Sequence, residues 1–180
     1  MKMLKKLLAV VLTGAMALTL FTACGGNAVS SNAASDKDIA DALNDIAKVE
    51  DADVTFTPWA EEQKLAKAIA ALYDSKQANT DAAPTDDEIN KILGIDEYGA
   101  NKTSRFVWCE LALTGGIGAA GQGYQLADTL LGDARNNSSF SSNQKPADAR
   151  HMGSALCKVT VYGQTVTARV VVVTAEAVDE

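Results

Sequence analysis

The chain has one histidine, His151, and three cysteines, Cys24, Cys109 and Cys157. Nucleophilic catalysis by a serine or cysteine needs a base within hydrogen-bond reach, so every conventional pair here must use His151. Cys157 fails as its partner, because it sits six residues along the same predicted strand, roughly 20 Å away when extended. Glu110 set against Asp128 or Asp133 would make a two-carboxylate hydrolase site. With 23 acidic residues in the chain, that pairing has little specificity. The run Asp86-Asp87-Glu88 is explained by helix capping and solvation. A lone imidazole cannot complete a two-histidine metal site, and a histidine at a strand start is ordinarily structural or at the surface.

The stretch GGIGAAG, residues 115–121, carries the G-x-G-x-x-G spacing of a dinucleotide turn at Gly116, Gly118 and Gly121. That turn needs a strand before it, a helix after it, and a second strand with an acid about 20 residues on to hold the ribose. Here the second strand would fall in SSFSSNQ, and residues 134–147 contain no Asp or Glu. The sequence therefore predicts no nucleotide and no other cofactor; the glycines fit a loop where side chains would not.

Lys2, Lys5 and Lys6 precede an apolar run from Leu7 to Phe21, followed by Thr22-Ala23-Cys24-Gly25. This is the pattern of a signal peptide, with an apolar run too short for an ordinary membrane-spanning helix. Phe21-Thr22-Ala23-Cys24 resembles the bacterial lipobox, although Phe21 stands where Leu is usual. That resemblance implies cleavage after residue 23, lipidation of Cys24, and a protein held by acyl chains on the extracytoplasmic face of the cell membrane. Removing residues 1–23 takes away three lysines and no acid, so the net charge of −7 becomes −10. Such a surface repels nucleic acid and anionic headgroups, leaving membrane affinity to the acyl chains. Cys109 and Cys157 remain. Outside the cytoplasm they can form a disulfide adding about 4 kcal/mol if unstrained, or they can both be small buried apolar side chains. The sequence leaves both open.

Residues 24–35 read as a lipidated cysteine and flexible tether, and residues 36–176 as a single globular domain. Ser35 caps a helix, with Asp38 three residues on and Ile39, Ala42, Leu43 and Ile46 along one face, ending near Val49. A second helix is expected from Thr57 as N-cap, with Pro58 at its first position, Glu61 and Glu62 in its first turn, and an apolar side of Trp59, Leu65, Ala66, Ile69, Leu72 and Tyr73. Residues 74–84 read as a polar loop. Thr85 to Glu88 forms a capping box for a short helix ended by Gly94. Arg105 to Leu113 fits strand or helix, Tyr124 to Leu131 reads as helix, and residues 135–147 as loop. Ala155 to Tyr162 and Thr165 to Thr174 are β-branched runs joined by Gly163-Gln164, a predicted hairpin whose unbroken apolar stretch from Val170 to Val173 suits a central strand.

The stretch LNDIAKVEDADVTFTPWAEEQKLAKAIA, residues 43–70, resembles the opening of the CAP superfamily, the SCP, PR-1 and antigen 5 group. CELA at 109–112 is similar to that family's Gly-Glu-Asn-Ile-Ala segment, LLGDARN at 130–136 to its Trp-x-x-Ser-x-x-His segment, and RHMGSALCKVTVYG at 150–163 to its C-terminal hairpin. The resemblance implies an α+β fold: a three-layer α/β/α sandwich with a small antiparallel sheet and a C-terminal β-hairpin. It implies a cleft lined by Glu110, Tyr124, Asn136, Asn137 and His151. Family members that bind a divalent metal there use two histidines; Asn136 stands at one of those positions, and no histidine lies between Tyr73 and Arg105. The expectation is accordingly a binding or adhesion protein of the cell envelope without metal, taking a glycan, peptide or lipid. The alternatives are an envelope hydrolase using Glu110 and His151, and a structural envelope component.

Overall fold

The computed structural model describes residues 34–80, 82–95, 105–132 and 144–179. The expected signal peptide, Cys24, most of the expected tether, Asp133, Asn136 and Asn137 lie outside the described residues. Among those described, four helices accompany a four-stranded mixed sheet: α1 (Asp36–Val49), β1 (Thr55–Pro58), α2 (Ala60–Thr80), α3 (Asp86–Leu93), β2 (Arg105–Leu113), α4 (Ala119–Leu130), β3 (Gln144–Val161) and β4 (Gln164–Asp179). The strand order is β1-β3-β4-β2. β4 runs antiparallel to both its neighbours, while β1 joins β3 in parallel, so the sheet is not wholly antiparallel as expected.

Local signals were strongest where capping chemistry is complete within four residues. Ser35 accepts from the Asp38 N–H and Asp38 reaches back to the Ser35 N–H; Thr85 and Glu88 do the same for α3, which Gly94 ends in the left-handed conformation. The predicted start of α2 is displaced. Thr55 to Pro58 forms β1 instead, with Phe56 alone turned inward, and the Trp59 N–H extends the pairing by donating to the Met152 carbonyl at 2.8 Å. α2 begins at Ala60 and continues to Thr80, because no Gly or Pro interrupts it after Tyr73. The strands are also longer than the β-branched runs, β3 beginning at Gln144 within the expected loop. The hairpin turn is Tyr162-Gly163, with φ of 51° and 75°, and Gln164 already pairs with Val161. Two positive φ angles make it the mirror-image turn that suits twisted strands, with glycine second.

Successive residues of β4 enter two separate cores. Val171, Val173 and Ala175 pack with Phe106, Trp108 and Met152 beneath α1 and α4. Ala168, Val170 and Val172 pack with Val107 and Cys157 beneath α2 and α3. The stretch from Val170 to Val173 is fully buried, as a central strand requires.

At one residue of each outer strand a helix carboxamide takes the place of a neighbouring strand. Asn44 of α1 accepts from the Phe56 N–H at 2.7 Å and donates to its carbonyl at 3.0 Å, on β1. Gln125 of α4 does the same for Leu113 on β2, at 3.0 and 3.1 Å. Asn44→Ala leaves both Phe56 groups without these partners, with an expected loss of about 1–3 kcal/mol in a urea titration.

Candidate functional site

Glu110 lies opposite Val171 in the sheet, on the face covered by α1 and α4. Its half-burial pushes the carboxyl pKa up from the ordinary value. Tyr124 is half-exposed on α4. His151 pairs with Thr57 and Thr174, one residue out of phase with Met152, and so belongs to the other face. Glu110 and His151 therefore do not share a cleft. An acid and a base on opposite sides of a sheet cannot act on one substrate, and His151 leaves the expected group of cleft residues.

His151 instead supports Trp59. The two rings stack with centroids 4.6 Å apart and planes within 8°. Trp59 is 49% exposed, so it is not part of the apolar side of α2 as its spacing suggested. A shallow groove of about 460 Å³ opens beside it, lined by Ser35, Asp36, Lys37, Pro58, Ala60 and Gln63. The Asp36 carboxylate is fixed there: one oxygen accepts from the Ser154 N–H and hydroxyl, the other from the Gln63 amide at 2.9 Å.

Beneath the groove, Ser154 also accepts from Arg169, which is 4% exposed. The same guanidinium donates to Gln122 Oε1 at 2.8 Å and to the Ala34 carbonyl at 2.7 Å. Ala34, assigned to the tether by composition, is thus buried and bonded to the sheet. Burial lowers the Arg169 pKa, and the charges of Asp36 and Asp38 oppose that shift. On the other face, Glu62 is also buried rather than a simple helix-dipole partner. Its Oε1 accepts from Thr174 at 2.8 Å and Arg105 at 3.5 Å, and its Oε2 has no hydrogen-bond partner among the described residues. None of these buried polar contacts was legible from spacing.

The glycine turn does follow a strand and open a helix, but β2 pairs only with antiparallel β4, which separates it from β3. It therefore opens no parallel β-α-β unit. Gly116 takes φ of 79°, and a Cβ at Gly123 would lie 3.0 Å from that of Ala42 on α1. These glycines serve the turn and the packing of α4 on α1.

Cys109 and Cys157 are free thiols. They lie opposite Val172 and Ala168 on either side of β4, so two strand spacings and four residues of register, about 16 Å in all, part their Cα atoms. A disulfide needs less than about 7 Å. Burial pushes both thiols up to about 12. Folded protein at pH 8 should resist a thiol reagent at both positions, and denatured protein should react at both, with no mass change on reduction. Because the folded-state values are raised, the thiol contribution to stability is complete below the unfolded value of about 8.5 and is lost as pH rises toward 12.

Comparison of the chain with protein-family models, curated proteins and solved structures finds no match.

Proposed function

We propose that the chain is an extracytoplasmic lipoprotein, anchored through Cys24, whose CAP-like domain binds a component of the cell envelope without a metal or a catalytic step. The observation that carries this reading is the placement of Glu110 and His151 on opposite faces of the sheet, which leaves the hydrolase alternative without a joint acid and base. Helices over both faces of the sheet support reading the fold as the three-layer sandwich of that superfamily, with β1 as a parallel addition. The rigid exposed Trp59 and the fixed polar groups beside it support binding: an interface gains most from an aromatic anchor that loses little freedom on contact.

The test has two parts. Full-length protein extracted from membranes should carry a diacylglycerol on Cys24 by intact mass, and it should co-sediment saturably with purified envelope sacculi. An unacylated mature chain, or one that stays in the supernatant at every sacculus concentration, contradicts the proposal.

A further inference from the structure

We infer that the groove beside Trp59 is a saccharide-binding site, an inference that rests on the binding reading and names its ligand class. Among the described residues the other indole, Trp108, and the phenyl rings of Phe56 and Phe106 are buried, whereas Trp59 keeps 49% of its surface in water, the same fraction as Tyr124. Its backbone N–H is bonded to the Met152 carbonyl, which fixes the main chain at the rim of the groove, and its ring lies flat on His151. A fixed indole plane is a platform for a ligand with an apolar flat face, because its ordering cost is already met in the free protein.

The polar groups around it specify the rest of the ligand. Asp36 has about four acceptor positions, and Ser154 and Gln63 occupy three. The Gln63 amide has a second N–H, and the Lys37 ammonium, paired with Asp41, has further protons. Donors and acceptors are thus mixed at the rim of an aromatic plane. A pyranose matches this pattern, with C–H groups on its face and hydroxyls that both donate and accept. Anionic ligands are disfavoured by Asp36 and by the net charge. An extended peptide would need free backbone groups on the β3 edge. There the Met152 carbonyl is taken by Trp59 and the Ser154 N–H by Asp36.

The chain has two tryptophans, so indole N–H resonances report the site directly. Full-length protein in detergent micelles is titrated with a tetramer of N-acetylglucosamine, and the Trp59 signal is assigned from a Trp59→Phe sample. The inference expects a saturable shift of the Trp59 signal with the buried Trp108 signal unmoved, at least a tenfold loss of affinity in Trp59→Ala, and a smaller loss in Gln63→Ala. No shift at millimolar tetramer overturns it. Binding that survives Trp59→Ala but is lost in Glu110→Gln or Tyr124→Ala also overturns it, and leaves the binding reading standing with the ligand elsewhere.

Discussion

Gly153→Ala is expected to destabilise the protein by about 3 kcal/mol or more. A Cβ at this position would lie 2.0 Å from the Gln63 backbone nitrogen and 2.4 Å from the Gln63 Cα and the Glu62 carbonyl carbon. These are main-chain atoms in the first turn of α2, so no side-chain rotation relieves the clash; the helix must move away from β3. That movement would stretch the Glu62 contacts to Thr174 and Arg105, and would lift Trp59 from His151. Total stability of a domain this size is about 5–15 kcal/mol, so the loss is a large fraction of it. Guanidinium unfolding should show a lower midpoint, whereas Gly115→Ala, with open space around the new methyl and no positive φ, should leave it nearly unchanged. Equal midpoints for the two variants would mean that α2 does not approach β3 so closely.

Arg169→Met should cost about 3 kcal/mol for a different reason. Methionine fills much of the same space, so the effect comes from stranded polar groups. The Ala34 carbonyl and Gln122 Oε1 each lose a charged donor, and Asp36 loses the cation behind Ser154. Because the Arg169 bond holds the buried Ala34 just before α1, the variant should also become sensitive to proteolysis next to residue 34 under native conditions. Loss of stability without new cleavage there would show that the network holds the sheet but not Ala34.

The contrast between local and non-local signals explains what the sequence revealed. Both capping boxes, the left-handed Gly94 and the buried Val170 to Val173 stretch were legible because each depends on residues within four positions of one another. β1 was missed because a four-residue strand with one inward side chain gives almost no periodic signal, and Thr57-Pro58 imitates a helix start. The exposure of Trp59 depends on where β1 ends, so that error carried into the site. Asp36, Gln122, Ser154 and Arg169 come from four separate elements, and nothing in their spacing announces that they meet. His151 shows the same limit: neighbourhood in sequence to Met152 did not say which face it would take.

The proposed function is that this domain holds an envelope component and does not cleave it. Its most direct test is to incubate the purified full-length protein with sacculi and measure soluble fragments by mass spectrometry, beside Glu110→Gln and His151→Ala. Bound protein is expected, with no fragment release above a protein-free control in any of the three. Fragments that accumulate with the parent protein and vanish in both variants would contradict it, since the two side chains would then have to serve one reaction from opposite faces of the sheet.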